Sequence, residues 1–275
     1  MSKLILTLDI GGSKILAGLF NKGQLKKKTR FDLCNNIPLN RQITSIIDKL
    51  FSNNSSSFSS IKIACPGPAD YSKGIILSAA NLNAKNFKIK KILEERYKVK
   101  VLVENDANCF AYYEWHKLKK FKNLVGITLG TGIGVGVVIN NKIFHGRGLS
   151  SELGHIIIKN CELEEEYKNI ILNSHYPNFK EAYESDKKDK YKIFIKLGNF
   201  VATVIYNAIL AYDPEIIILG GGVIKAKKLF WDNVNKRLSK LLRKYNIEKP
   251  FIKADASDLG VLKGAAIMPL KKRRS

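Results

Sequence analysis

Residues 4–23, LILTLDIGGSKILAGLFNKG, govern how the rest of the chain is read. Two aliphatic runs, Leu4 to Leu8 and Ile15 to Phe20, flank Asp9-Ile10-Gly11-Gly12-Ser13-Lys14, and the turn Asn21-Lys22-Gly23 leads into a third extended run, Gln24 to Asp32. Short apolar runs bounded by glycine and asparagine read as strands joined by turns. The same form returns in residues 124–144, LVGITLGTGIGVGVVINNKIF: strand, glycine turn, strand, asparagine turn, strand, with Thr7 and Thr128 in matching places. The repeat reads as an internal duplication that sets two glycine turns facing each other across a cleft.

Two such turns suit one polyphosphate held from both sides. Glycines let backbone N–H groups come close to an anion. Asp9, at a strand end, suits a hydrated magnesium ion, which takes one or two carboxylates plus water and phosphate. Ser13 and Lys14 can reach phosphate oxygens, and Thr131 and Gly132 occupy the second turn. A lone Gly-Gly is an ordinary hairpin turn; two of them in one repeated frame are much less readily explained that way. The Walker spacing is absent, and strand rather than helix follows.

Ile43, Ile46, Ile47 and Leu50 mark an amphipathic helix. Asn53 to Ser60 reads as a polar loop and Ile61 to Ala64 as a buried strand entering Cys65-Pro66-Gly67-Pro68-Ala69-Asp70, a stiff loop whose Gly67 backbone can line a pocket. Ile75 to Leu77 and Asn81-Leu82 follow, then a helix on Ile89, Ile92 and Leu93. Val99 to Val103 is a strand, and Ala107, Phe110, Ala111, Trp115 and Leu118 then fall at helical spacing, so a helix starts close to Asp106. A carboxylate at that junction can accept a proton from a substrate hydroxyl. It can equally cap the helix, the commoner use of such a residue. The order β-β-β-α-β-α-β-α is that of an α/β domain.

After the second repeat, Glu152 and His155 stand three apart around Gly154, and both can hydrogen-bond sugar hydroxyls. The spacing is not that of a zinc helix. Residues 160–190 are charged and read as irregular. Phe194, Leu197, Val201, Ile205 and Ile209 predict a long helix that stops at Tyr212-Asp213-Pro214. Gly220, Gly221 and Gly222 follow the strand Ile216 to Leu219, where bare backbone lets a flat ring lie. The next helix should turn Leu229, Val234, Leu238 and Leu241 inward, before a strand at Phe251 to Lys253 and a small-residue helix from Leu259 to Met268.

The bulk numbers exclude several classes. A chain of 275 residues, 45% hydrophobic, can bury one large core or two moderate ones. It is read as having no apolar run long enough for a bilayer and no signal-peptide pattern, hence as cytoplasmic without a membrane partner. Cys34, Cys65, Cys109 and Cys161 are too scattered for a disulfide framework or zinc knuckle. The net charge of +23 raises nucleic-acid binding. The lysines are spread through nearly every segment, however, and Lys26-Lys27-Lys28 and Lys271-Lys272-Arg273-Arg274 read as solvated surface, so no specific nucleic acid is expected.

On these residues the chain resembles the ROK family of sugar kinases and repressors, over Leu4 to Ala266. Asp9 to Lys14 is similar to the family's first phosphate motif, Leu129 to Gly134 to its second, and Gly220 to Gly222 to its adenosine motif. Asn105-Asp106-Ala107-Asn108 matches the segment holding the catalytic aspartate, Glu152-Leu153-Gly154-His155 the sugar signature, and Pro66-Gly67 and Asn81-Leu82 two further sugar-site segments. The resemblance implies an actin/hexokinase-like ATPase fold. It would have a small α/β domain over residues 1–110, to which a helix in 261–275 returns, and a large one over 111–260. It implies an ATP-dependent, magnesium-using kinase acting on a hexose hydroxyl, the 6-hydroxyl of glucose first. N-acetylmannosamine, N-acetylglucosamine or fructose kinase, a sugar-responsive regulator and a silent binding module are the alternatives. No room is left before Leu4 for a DNA-reading domain. Asp106 would be the base, with Gly67, Asn81, Asn105, Glu152 and His155 on the sugar. Asp9, Gly11, Gly12, Ser13, Lys14, Thr131, Gly132, Gly220, Gly221 and Gly222 would hold ATP, with Asp9 holding magnesium through water. A homodimer is admitted. Relatives often carry a cysteine-rich segment after the signature that binds zinc with its histidine, and a glutamate ending that segment that touches sugar. Here Cys161 stands alone, so no zinc site is expected. His155 must then be oriented by hydrogen bonds or packing, with a looser loop after it, and Glu162, Glu164, Glu165 or Glu166 stands in for the glutamate.

Overall fold

The computed structural model describes residues 4–34, 36–52, 58–79, 82, 84–150, 152–158, 160–254 and 259–270. Two compact units emerge. The first comprises Met1–Tyr113, His145–Leu149 and Leu259–Ser275, and the second Glu114–Phe144 and Ser150–Asp258.

In the first unit β1 (Leu4–Ile10), β2 (Lys14–Asn21) and β3 (Gln24–Asp32) form an antiparallel meander, followed by α1 (Leu39–Ser52) and β4 (Phe58–Cys65). A small three-stranded sheet, β5 (Ala69–Asp70), β6 (Ile75–Ala79) and β7 (Ala84–Phe87), is inserted before α2 (Ile89–Tyr97), β8 (Lys100–Asn105) and α3 (Asp106–Leu118). The main sheet has the order β3-β2-β1-β4-β8, with β1, β4 and β8 mutually parallel. Leu6, Leu8 and Ile10 alternate with their neighbours along β1 and bury against Ile43, Ile47 and Leu50 of α1. The polar loop expected up to Ser60 ends earlier. Phe58 is buried and pairs with Leu4, and Ser60 pairs with Ile5, so burial and pairing override the polar composition there. Lysines 26–28 lie exposed on β3, the sheet edge, where charge discourages further strand pairing.

The C-terminal helix Gly260–Ile267 returns to this unit. A Cβ on Gly264 would fall 1.8 Å from the Cys109 carbonyl oxygen, so glycine is what lets this helix lie against α3. Lys62, buried on β4, donates from Nζ to the carbonyls of Ala266 and Met268, at 2.6 Å each. Burial lowers its pKa to about 8.

The second unit repeats the plan. It begins with β9 (Leu124–Leu129), β10 (Ile133–Ile139) and β11 (Lys142–Ile143), followed by a short 3₁₀ turn (Leu153–His155) and the hairpin β12 (Ile157–Ile158) and β13 (Cys161–Glu162). Helices α4 (Leu163–Leu172), α5 (Phe179–Glu184) and α6 (Lys190–Tyr212) come next, then β14 (Ile216–Gly220), a 3₁₀ stretch (Gly222–Leu229), α7 (Trp231–Arg243) and β15 (Phe251–Ala254). Sheet order β11-β10-β9-β14-β15 mirrors that of the first unit, with the same mixture of antiparallel and parallel neighbours. Both hairpins also close on two-residue loops with positive φ, Lys22-Gly23 and Asn140-Asn141.

Four expectations are corrected in this unit. Thr7 and Thr128 each donate across their hairpin, to Gly18 O at 3.2 Å and Gly134 O at 3.4 Å. Counted from the turn, however, Thr128 is one pair in from Leu129–Ile133 and Thr7 three in from Ile10–Ile15, so they are not equivalent positions. Residues 160–190 are not irregular, since Leu163, Tyr167 and Ile171 bury one face of α4 beneath its charged residues. On α7 it is Leu242, not Leu241, that is buried with Val234 and Leu238, and Leu229 sits in the preceding 3₁₀ stretch. Finally, α6, at 23 residues, is by length and composition apolar enough to cross a membrane. Its Phe194, Leu197, Val201 and Ile205 instead pack into the core of this unit.

Candidate active site

The parallel strands of the first unit bring three loops to one sheet edge. Asp9 on β1 pairs with Ala64 on β4, which pairs with Glu104 on β8, while Cys65 pairs with Asn105. Beyond these rows come the Gly11–Ser13 turn, the Pro66-Gly67-Pro68 loop and Asp106. The carboxyl ends of parallel strands are where open α/β sheets bind ligands. Asp9 has its pKa pushed up to about 7 by burial first and by the Asp106 charge second, with Lys14 opposing. The two carboxylates therefore feel one another. Gly11 spends its N–H on closing the turn to Lys14 O at 2.9 Å, leaving Gly12 and Ser13 as the amides beyond it. Asn81 lies outside the described residues.

The start of α3 is capped by a neighbour of Asp106. The Asn108 N–H donates to Asn105 Oδ1 at 3.1 Å, three residues on, which is N-cap geometry with Asn105 as the cap. Glu104 Oε1 accepts the Asn105 N–H and the Asn108 side-chain amide, each at 3.0 Å, and Glu104, Asn105 and Asn108 are all buried. Asp106 is the first residue inside the helix, half-buried, with Oδ1 accepting the Ala107 N–H at 2.8 Å. The helix start is thus satisfied by Asn105, and the aspartate beside it is held at the sheet edge.

In the second unit the β9–β10 turn closes by Gly130 N–H to Gly132 O at 3.0 Å. Helix α4 fastens it: the Tyr167 hydroxyl donates to Gly130 O at 2.8 Å, and Glu164 Oε2 accepts the Ile133 N–H at 3.2 Å. Lys168 holds the other Glu164 oxygen at 2.6 Å. A Cβ on Gly132 would meet the Glu164 carboxylate at 2.5 Å, so the turn accepts this brace only as glycine. Thr131 is exposed at the tip. Gly221, with φ of 92°, passes so close to Leu129 that a Cβ would lie 2.3 Å from its carbonyl oxygen, whereas at Gly130 and Gly222 it would meet open space. The result is a bare backbone surface where β9 and β14 end, suited to a phosphate chain and a flat base.

Glu152 precedes the 3₁₀ turn and His155 ends it. His155 Nδ1 lies 2.8 Å from Glu162 Oε2 across the β12–β13 hairpin, and its Nε2 lies 3.7 Å from Glu152 Oε2. The hydrogen bond to Glu162 is the main cause of a raised His155 pKa, opposed by partial burial and reinforced by the charges of Glu162, Glu152 and Glu164. Of the four glutamates weighed as stand-ins, Glu162 orients the histidine and Glu164 braces the phosphate turn; Glu165 is exposed and Glu166 half-buried on α4. Cys161 Sγ donates to Ile158 O at 3.6 Å, and no cluster of three or more metal-binding side chains occurs among the described residues. Tyr167, the bracing role of Glu164, and Glu104 were not anticipated from sequence. The Leu163–Tyr167–Ile171 spacing was the available signal for the first two.

The chain is similar to known proteins. The model of the ROK family matches residues 5–272. The chain is 27% identical over 299 residues to the N-acetyl-D-glucosamine kinase of Vibrio cholerae, covering 96% of this chain and 98% of that one. It is 30% identical to the glucokinase of Halalkalibacterium halodurans, with 80% of each chain covered. A ROK family glucokinase from Streptomyces griseus, solved with glucose and AMPPNP, matches with a TM-score of 0.79 at 24% identity, over 96% of this chain and 98% of that one. The fold is the actin/hexokinase-like ATPase fold, and the chain belongs to the ROK family.

Proposed function

We propose that this protein is an ATP-dependent sugar kinase that phosphorylates a hexose or N-acetylhexosamine hydroxyl. The observation that carries the reading is the capping of α3 by Asn105, which holds the Asp106 carboxylate at the sheet edge close to Asp9, near the end of β1. Asp106 takes the proton from the sugar hydroxyl as that oxygen bonds to the γ-phosphorus of ATP, and the bond to the bridging oxygen breaks, releasing ADP. Gly12, Ser13, Thr131 and Gly132 present backbone to the phosphates, Lys14 adds positive charge, and Gly220–Gly222 supports the adenosine. Gly67, Asn105, Glu152 and His155 bind the sugar. The donor set fits a hydrated magnesium ion, since two neighbouring carboxylates and phosphate are what that ion takes. Asp9 would hold it through water, and when bound it supplies charge neutralisation at the phosphates. The reading places the protein in the cytoplasm.

Phosphorylation of a panel of glucose, N-acetylglucosamine, N-acetylmannosamine and fructose, followed by ADP release, tests the reading. Turnover of at least one is expected, and none with any member at millimolar sugar would overturn it. The relatives favour glucose and N-acetylglucosamine as the first two.

Within this reading Glu162 takes over the orienting of His155. Glu162→Ala is expected to raise the sugar KM about 5-fold, roughly 1 kcal/mol for a partly exposed charge-assisted pair, with kcat little changed. The pair is fully formed below the ordinary histidine value of 6.5 and is lost as pH rises through the raised one, so sugar KM should climb on the alkaline side. In Glu162→Gln that limb should move to lower pH. A wild-type-like KM across pH in both variants would remove Glu162 from this role.

A further inference from the structure

We propose that His145 is a positioning residue for the catalytic loop, holding Asp106 in place through Glu104. His145 Nε2 lies 2.8 Å from Glu104 Oε2, and the Glu104 side chain is only 4% exposed. A carboxylate only accepts, so Nε2 is the donor. The other Glu104 oxygen takes the Asn105 N–H and the Asn108 side-chain amide, and Asn105 in turn caps α3 at Asn108. Glu104 is therefore the hub of a closed ring of bonds around the residue that precedes Asp106. His145 supplies the bond to its other oxygen, Oε2. Without it a buried carboxylate is left with one oxygen unsatisfied by this donor, and its rotamer, with the two bonds it makes to the loop, loses its anchor.

His145 is itself held. It opens a segment, His145–Leu149, that belongs to the first unit although the residues on both sides belong to the second. Gly146 and Gly148 take φ values of 55° and 119°, and the Gly148 N–H closes a turn onto His145 O at 2.8 Å. The imidazole tilts against the Tyr71 ring with centroids 6.1 Å apart. A turn built on two left-handed glycines, spent on aiming one ring at one buried carboxylate, is explained by the loop that carboxylate organises. The inference rests on the kinase reading for its catalytic consequence and on geometry alone for the loop.

The test compares His145→Ala with His145→Gln, whose side-chain amide nitrogen can reach the place of Nε2. His145→Ala is expected to lower kcat about 10- to 100-fold, the usual cost of a misplaced reacting group, with sugar and ATP KM within about 3-fold of wild type. His145→Gln should recover most of kcat. Hydrogen exchange at the Asn105 and Asn108 amides supplies a readout independent of turnover. It should quicken at least about 10-fold in His145→Ala and return towards wild type in His145→Gln, while exchange in the second unit's α6 stays unchanged. Wild-type kcat or wild-type amide protection in His145→Ala would overturn the proposal. A wild-type protein inactive on every sugar would instead overturn the kinase reading, and the exchange data would still decide whether His145 holds the loop.

Discussion

Asp106→Asn is expected to lower kcat by about 10²- to 10⁴-fold, the range for removal of a general base, while leaving sugar affinity and thermal stability near wild type. The stability half of this expectation follows from the cap. Asn105 satisfies the helix start, and the acceptance that Asp106 Oδ1 makes from the adjacent Ala107 N–H is one the asparagine oxygen can copy. An Asp106 that served mainly as a cap would give the opposite pattern, a loss of roughly 1 kcal/mol in folding with turnover retained. Single-turnover phosphorylation alongside thermal melting separates the two, and a near-wild-type kcat would exclude Asp106 as the base.

Asp9→Asn should trade binding for stability. Folding raises the Asp9 pKa from 3.8 to about 7, through burial and the neighbouring Asp106 charge. The folded state therefore binds this proton more tightly than the unfolded state. The associated stability is fully present below about pH 4 and is lost as pH rises to about 7. A shift of that size corresponds to about 2–4 kcal/mol after allowance for the partial exposure of the side chain. Without nucleotide, Asp9→Asn should thus melt like wild type at pH 4 and higher than wild type at pH 8. With magnesium-ATP its kcat/KM for nucleotide should fall at least about 10-fold, since the carboxylate that would hold the metal is gone. Calorimetry at the two pH values, with ATP titrations beside it, checks both halves. Equal melting at pH 8 would mean that the Asp9 charge is not buried at a cost.

The duplicated hairpin was legible because its information is local. Aliphatic alternation, Gly-Gly and Thr-Gly turns, and Asn-Lys-Gly against Asn-Asn all act within a few residues, and the three antiparallel strands of each five-stranded sheet follow from them. The threonine equivalence failed because strand register is set across the hairpin and not by distance from the strand start. Helix α4 escaped notice because Glu164, Glu165, Glu166 and Lys168 dominate its composition, while its buried face has only Leu163, Tyr167 and Ile171 to declare it. The bracing roles of Glu164, Glu162 and His145 depend on partners 31, 7 and 41 residues away. No pattern along the chain encodes such partners. Asn105 as the cap was one residue from being read, and was displaced by the more reactive side chain beside it.

The C-terminal helix bears on how the chain is made. Gly260–Ile267 completes the first unit but leaves the ribosome after the whole of the second. Until then Phe20 lacks Leu262 and Ala266, with which it clusters, and the Lys62 ammonium lacks the two carbonyls that receive it. An apolar face and a buried lysine in the middle of β4 therefore wait for their partners until residues 260–268 have emerged. The second unit, continuous but for one short excursion, has all of its residues before then. Synthesis order is thereby written into the fold: the unit that carries Asp9 and Asp106 has its full set of residues only when its last helix arrives.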